Sequence, residues 1–476
     1  MKTVTFKPVL SALLVLCIFG AFVGTAYSAD ARPNVLFFLI DDQRNDTLGC
    51  AGHPVIKTPN VDQLAAAGVR FENMFVTTSI CAASRASIFT GMTERTHGYT
   101  FGKPPVCKKH IAESYGAQLR AAGYRTGHIG KFGVNMEGGR ASIAEMFDVF
   151  NPLNRHPYLH KMPDGSLRHE SERCGDFAEE FIASQPEDKP FCLQVSFNAV
   201  HAEDGDKRPG VGHYPWPKAV DGMYEDIPMA PPRLGDPAIF DALPKFMQDS
   251  MNRDRWYWRW DTPEKYETNM RAYFRMITGV DRVIGRVLKK LEAEGLADNT
   301  IVIYTGDNGY YMGDRGFAGK WSHYEQSLRV PLIIYDPRLP EEKRGRLVEP
   351  MSLNIDLPAT ILDIAGVDVP ADYQGHTLMP VVRDEATDAK PRTDFFCEHL
   401  MGHAAIPKWE GIRDQRYVYA NYFGQNPPQE FLHDLKTDPD QLKNLAADPA
   451  MAEVLQKLRA RTAELRAKYE AARPER

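Results

Sequence analysis

Cysteine is scarce in this chain: seven residues in 476, with no Cys-x-x-Cys pair among Cys17, Cys50, Cys81, Cys107, Cys174, Cys192 and Cys397. That spacing excludes a zinc-ribbon repeat and a disulfide scaffold. A chain of 476 residues also buries a core without covalent staples. Surplus positive charge is missing as well, since 57 Lys+Arg face 63 Asp+Glu for a net charge of −6. Binding to a phosphate backbone needs a basic face, so the balance argues against nucleic acid as a partner. Beyond the first two dozen residues no run is apolar enough to cross a bilayer, which argues against stable membrane insertion. Internal repeats and low-complexity tracts are lacking too. With 43% hydrophobic and 25% charged residues, the composition excludes collagen-like, coiled-coil and disordered chains.

What is present begins with a leader pattern. Lys2 and Lys7 precede an apolar run over 9–24, and Ala26 and Ser28 stand at the −3 and −1 positions of a cut after Ser28. This reads as a signal peptide over 1–28, and hence as an exported protein, periplasmic or secreted. Removal of the leader leaves six cysteines, whose pairing the spacing does not fix.

Next comes an alternation of strands and helices. Residues 34–40 form a nearly continuous apolar run, the pattern of a strand covered on both faces. Residues 124–130, 190–197, 300–304 and 330–335 read as further strands, and 61–68, 113–122, 177–183 and 269–296 as helices. The alternation predicts an α/β fold with a mostly parallel central sheet flanked by helices. Residues 203–262 are rich in Pro, Asp and aromatics and show little periodicity, so they read as a lid or substrate loop within a catalytic domain over 29–367. Residues 368–476 read as a smaller C-terminal α+β domain, ending in a helix with Met451, Leu455, Leu458, Leu465 and Tyr469 on one face.

Polar residues cluster where the strands end, which is where ligands of open α/β sheets bind. The first strand ends in Asp41-Asp42, the second leads to Lys131, the third to His201, and the fourth ends in Asp307-Asn308. Three carboxylates and an amide oxygen suit a hard cation such as Ca²⁺ or Mg²⁺, and suit zinc poorly, because the set has no Cys or His. Cys81 opens the helix-like stretch Cys81-Ala82-Ala83-Ser84-Arg85-Ala86-Ser87-Ile88-Phe89-Thr90-Gly91. A thiol at a helix N-terminus is either a buried core cysteine or an activated nucleophile, and the same helix end offers backbone N–H groups to an anion.

At these residues the sequence resembles the type I sulfatases, a family with an alkaline-phosphatase-like fold. The family signature is Cys-x-(Pro/Ala)-Ser-Arg, four residues, then Thr-Gly, and every fixed position is met between Cys81 and Gly91. Asp41-Asp42, Gly130-Lys131, His201, Gly306-Asp307-Asn308-Gly309, Lys320 and Ser327-Leu328-Arg329-Val330-Pro331 follow in the family order. Phe431-Leu432-His433-Asp434-Leu435 resembles the family's closing hairpin.

The resemblance implies a formylglycine-dependent sulfuric ester hydrolase. Cys81 is then the precursor of 3-oxoalanine (formylglycine), made by a formylglycine-generating or anaerobic sulfatase-maturating enzyme. The hydrated aldehyde attacks sulfur with one hydroxyl and expels sulfate with the other. Asp41, Asp42, Asp307 and Asn308 match the metal positions, with the Cys81-derived oxygen as a further ligand and Ca²⁺ as the ion. Arg85 matches the arginine that holds the diol, Lys131 and Lys320 the lysines flanking the sulfate, and His201 the group that protonates the leaving alcohol. One departure stands out. The family carries Lys-x-His, whereas this chain reads Lys131-Phe132-Gly133. His128 would point away from Lys131 on its strand, which leaves His97 as a candidate replacement.

Substrate choice must come from outside this core. Trp258, within Arg255-Trp256-Tyr257-Trp258-Arg259-Trp260, offers a face for sugar stacking. Glu398-His399, with Arg413 behind, offers hydrogen bonds to sugar hydroxyls. These point to a sulfated oligosaccharide, with a 6-O-sulfated N-acetylhexosamine as the reading within that class. Two other functions fit less of the sequence. One is phosphonate or phosphate ester hydrolysis on the same fold. The other is a sulfated-glycan-binding protein that has lost catalysis, supported only by the missing histidine.

Overall fold

In the computed structural model the apolar run after Pro33 is strand β1 (Asn34–Ile40), buried along its whole length. The structure describes residues 1–3, 32–205, 212–386 and 390–474, so the leader read over 1–28 lies outside the described residues apart from its first three. The other strands of the main sheet are β2 (Val69–Phe71), β3 (Arg125–Gly130), β4 (Val149–Pro152), β5 (Phe191–Ser196), β6 (Thr300–Gly306), β7 (Leu332–Tyr335) and β8 (Arg346–Val348). They form one eight-stranded sheet in the order β8-β2-β7-β6-β1-β5-β3-β4. Only β7 runs against its neighbours, pairing antiparallel with β6 and β2.

Alternation along β1 shows why the sheet is a middle layer. Val35, Phe37 and Leu39 enter one apolar cluster, and Leu36, Phe38 and Ile40 enter another on the opposite face. Helices cover both faces: α1 (Pro59–Ala67), α2 (Cys81–Thr90), α3 (Glu170–Ala183), α4 (Met251–Arg259), α5 (Pro263–Ala293) and α6 (Asp356–Ile364). Among them, α1, α3 and α5 contribute to the second cluster, and α2 and α6 to the first.

Three expectations about elements change. Helix α3 starts at Glu170, seven residues before the expected 177, because His169 caps it by accepting the Ser171 N–H at 3.2 Å. Helix α5 starts at Pro263, six residues before the expected 269, because Thr262 caps it by accepting the Lys265 N–H at 3.2 Å. Its first turns are polar, so the apolar period gives no sign of them. Within 203–262, expected to lack regular elements, the Arg/Trp-rich run lies on helix α4.

After the main sheet come β9 (Asp394–His399), β10 (Trp409–Asp414), β11 (Tyr417–Tyr422) and β12 (Gln429–Asp434), an antiparallel sheet in sequence order. Its outer face packs Phe396, Ile412, Tyr419 and Leu432 on α7 (Ala452–Ala471) through Leu455, Leu458 and Leu465, with Met451 and Tyr469 beside them. Its inner face, Phe395, Trp409, Ala420 and Phe431, joins the main core. The six cysteines from Cys50 onward are free thiols. Among the described residues no helix is long and apolar enough to cross a membrane.

Arg95 ties the two layers together. Its backbone N–H and Nε donate to Glu398 at 2.9 and 2.8 Å, Nη2 reaches Glu410 at 2.9 Å, and Nη1 reaches Glu470 at 2.7 Å. Burial pushes Glu398 up to about 7 against the pull of Arg95, and the charge of Glu410 adds to the rise. The folded protein therefore holds an extra proton between about pH 4.5 and 7, and this group's contribution to stability falls as pH rises through that window. Arg95→Leu strands buried carboxylates, so it should cost about 3–5 kcal/mol in urea unfolding at pH 8. The cost should shrink at pH 5, where Glu398 is neutral. Equal losses at both pH values would contradict this role.

Candidate active site

Strand register assembles the site. Ile40 of β1 pairs with Gly306 of β6, Leu39 with Ser196 of β5, and Ser196 with Gly130 of β3. These strands end level, so the next residues, Asp41, Asp307 and Lys131, emerge along one edge of the sheet. The backbone continues to hold them: Asp307 N donates to Ile40 O at 2.9 Å, Asp41 N to Ala199 O at 3.1 Å, and Lys131 N to Ser196 O at 2.7 Å. Asp42 follows in the left-handed region, φ 54°, which Asp tolerates better than most residues.

All four acidic and amide groups are buried, and cations compensate them. Arg85 Nε donates to Asp307 Oδ2 at 2.7 Å, and Arg85 Nη1 donates to the Lys131 carbonyl at 2.6 Å. Lys131 Nζ donates to Asp41 Oδ2, and Lys320 Nζ to Asp42 Oδ1. Asn308 Nδ2 donates to Asp42 Oδ1 at 2.7 Å. Burial alone would raise Asp41, yet Lys131, Lys320 and Arg85 together hold it at about 2. Asp307 moves the other way, to about 6, because burial and the charge of Asp41 outweigh the same three cations. The two carboxyls share one cationic frame, and Asp41 claims more of it.

His201 lies at the same edge. Nδ1 donates to the Ala202 carbonyl at 2.8 Å, which leaves the Nε2 lone pair 3.6 Å from Asp42 Oδ2. Burial, with Arg155, Lys320, Lys131 and Arg255 around it, holds the imidazole well below its ordinary value, so it is neutral.

Cys81 is the first residue of α2. Ile80 before it is extended (φ −152°) and offers no side-chain cap, so the first N–H groups of this ten-residue helix lack a capping side chain. The thiol sits within the field of Arg85 and Lys320. The structure thus brings together Asp41, Asp42, Cys81, Arg85, Lys131, His201, Asp307, Asn308 and Lys320.

Gly133 lies within this group. A Cβ there would stand 3.2 Å from Arg85 Cδ and 3.5 Å from Lys131 Cε, and φ is +73°. The side chain missing at this position would have entered the site. His97, the candidate replacement, has both ring nitrogens engaged by near neighbours: Nε2 lies 3.1 Å from Ser87 Oγ, and Nδ1 accepts the Tyr99 N–H at 3.0 Å. His128 stands among Phe89, Phe132, Phe147 and Phe150, behind the strand as its register requires. Tyr99 also reaches this turn: its hydroxyl donates to the Gly133 carbonyl at 3.3 Å. Its only sequence signal is its place two residues after His97.

The groups expected to hold sugar are placed differently. Glu398 is buried on Arg95. Arg413 reaches Glu325 at 3.2 Å and lies 4.6 Å over the Phe75 ring. Both therefore have partners inside the protein, where the sequence reading gave them the substrate. His399 is fully buried with neither ring nitrogen hydrogen-bonded, and burial lowers it to about 3. Trp258 is 43% exposed on α4.

Three buried oxygens at the strand edge lack a hydrogen-bond partner: Asp41 Oδ1, Asp42 Oδ2 and Asn308 Oδ1. Leaving buried acceptors unsatisfied is costly, and a hard divalent cation satisfies all three. Ligand atoms of Asp41, Asp42 and His201 lie within 4.8 Å of one another. The residues present fit such an ion. At a hundredfold excess over its dissociation constant, Ca²⁺ or Mg²⁺ should stabilise the fold by about 2.7 kcal/mol, read as a rise in melting temperature. Asp42→Asn should abolish the rise. No rise in the native protein would remove the metal site.

Comparison with known proteins agrees with this geometry. A sulfatase family profile matches residues 33–367, and one described as N-sulphoglucosamine sulphohydrolase, C-terminal, matches residues 313–468. The chain is 28% identical over 469 residues to an N-acetylglucosamine-6-O-sulfatase of Bacteroides thetaiotaomicron, covering 87% of this chain and 82% of that one. A solved protein in complex with its substrate D-glucosamine-2-N,6-O-disulfate superposes with a TM-score of 0.74 at 25% identity, covering 93% of this chain and 99% of that one. A phosphonate monoester hydrolase of Agrobacterium radiobacter superposes with a TM-score of 0.73 at 25% identity, covering 92% and 96%. The profile match spans most of the chain, and the fold and strand-edge site accord with it: this chain belongs to the type I sulfatase family and is a sulfuric ester hydrolase.

Proposed function

We propose that the protein is exported and removes sulfate from a sulfated carbohydrate, with a 6-O-sulfated N-acetylhexosamine as substrate, using formylglycine at position 81 and a calcium ion. The observation that carries this is the convergence of Cys81, Arg85, Lys131 and Lys320 on one buried, cation-rich strand edge. The relative named for N-acetylglucosamine-6-O-sulfate and the neighbour holding a sulfated glucosamine support the sugar.

Cys81, oxidised by a maturating enzyme, supplies a hydrated aldehyde as nucleophile. Asp41, Asp42, Asp307 and Asn308 would hold Ca²⁺, which supplies charge stabilisation to the oxygens of nucleophile and sulfate. Arg85, fixed by Asp307 and the Lys131 carbonyl, is oriented before substrate arrives, so its fork holds the nucleophilic oxygen without reorganisation. Lys131 and Lys320 flank the sulfate. A bound sulfate adds negative charge among the cations that keep His201 neutral, and so favours its protonated form. His201 Nε2 then delivers that proton to the leaving alcohol oxygen as the S–O bond breaks. Trp258 is exposed and available to stack on a sugar ring.

Turnover of 6-O-sulfated N-acetylglucosamine by protein from a maturating host is the test. Free sulfate should appear, and Cys81→Ala should lower kcat/KM by about four to six orders of magnitude. The fold is shared with a phosphonate monoester hydrolase, so a phosphonate monoester is assayed alongside. A higher kcat/KM on the phosphonate would move the assignment to that chemistry.

A further inference from the structure

Helix α4 and the segment before Tyr158 place an arginine cluster beside the catalytic edge that the reaction does not use. Arg255 and Arg259 are one turn apart and share a face of α4. Both reach one acid: Arg255 Nη2 lies 3.1 Å from Asp204 Oδ2, and Arg259 Nη2 donates to Asp204 Oδ1. Arg155 borders the group: the next residue, His156, lies 2.7 Å from Glu203, the residue before Asp204, and the charge of Arg155 acts on both Arg259 and His201. Arg255 acts on His201 as well. Its guanidinium carbon lies 4.9 Å over the ring of Trp321, the residue after Lys320, so the cluster adjoins the sulfate position.

The cluster is under-compensated. Arg259 is fully buried, and its Nε and Nη1 have no hydrogen-bond partner; Nε of Arg155 and Nε of Arg255 are also buried without one. Buried donors of this kind are costly unless something accepts from them. Burial lowers Arg259 below its ordinary value, with only partial relief from Tyr310 and Asp42. The second nearby acid, Glu203, lies 2.7 Å from His156. Asp204 thus faces two of the three guanidinium groups directly, and Lys131 and Lys320 are paired with Asp41 and Asp42.

We infer that Arg155, Arg255 and Arg259 form a second anion subsite, which takes a carboxylate or sulfate carried by the substrate close to the scissile sulfate. Guanidinium forks match both oxyanions bidentately. The exposed ring of Trp258 stands beside Arg259, whose guanidinium carbon lies 5.7 Å over it, so the sugar joining the two anions has a surface to rest on. The preferred substrate is accordingly a multiply anionic saccharide unit. This assignment rests on the sulfated-sugar reading above.

The test compares kcat/KM and calorimetric affinity for three compounds: 6-O-sulfated N-acetylglucosamine, glucosamine-2-N,6-O-disulfate, and 6-O-sulfated N-acetylglucosamine linked to a uronic acid. At least one of the doubly anionic compounds should be preferred by about tenfold or more over the first, and which one it is identifies the second anion as sulfate or carboxylate. Arg155→Gln should bring that ratio close to one. Arg255→Gln is the second variant, and melting temperatures confirm that both fold. Equal kcat/KM for all three compounds, or a preference that survives both substitutions, would overturn the subsite while leaving the sulfatase reading intact. Tighter binding of a doubly anionic compound, lost in Arg155→Gln, without release of sulfate from any of the three would uphold the subsite and overturn the sugar reading.

Discussion

Four parallel strands that end level force like charges together, and everything at the site answers that constraint. Asp41, Asp42 and Asp307 are all buried within one edge of the sheet. Carboxylates so placed repel one another unless cations neutralise them. Arg85, Lys131 and Lys320 do so from three elements far apart in sequence: helix α2, the end of β3 and the loop after β6. The opposite displacements of Asp41 and Asp307 record that competition. Oxygens of Asp41, Asp42 and Asn308 remain without a hydrogen-bond partner, which is where a divalent cation would complete the balance.

The same arrangement prepares the site for an anion. With a metal on the carboxylate oxygens, the lysine ammonium groups would be free to turn toward a bound oxyanion, and the N-terminus of α2 would add its own positive end. The arginines on α4 and before Tyr158 extend this positive potential outward. Burial, then cations of both groups, hold His201 in its neutral form. Phosphonate and sulfate esters present similar tetrahedral anions, so one cation-rich site suits either, and the fold is shared with a phosphonate monoester hydrolase.

Much of this was legible in the sequence because the site is built from strand ends. The run 34–40 announced a two-faced strand, and the polar pairs after it and after the strand read over 300–304 announced the acidic edge. The segment around Cys81 announced a helix N-terminus. Helix α4 was harder to see, because its residues follow no apolar period: Arg255, Trp256 and Arg259 pack through cation–π contacts and an ion pair instead. Arg95 and Arg155 lie in short or irregular segments where no pattern marks them. Glu398 and Arg413 looked available because sequence shows charge but not partners, and their partners, Arg95 and Glu325, are far away along the chain. Gly133 was legible as a departure, but the identity of its neighbour Tyr99 needed the fold.

The central claim is that the strand edge serves a nucleophile derived from Cys81. Its most direct test is the mass of the proteolytic peptide containing residue 81, from protein made in a host that matures such signatures. The account predicts one oxygen in place of the sulfur and two hydrogens fewer than the thiol form, an aldehyde. An unmodified thiol in that host would contradict it, leaving a thiol nucleophile or a non-catalytic anion site in its place.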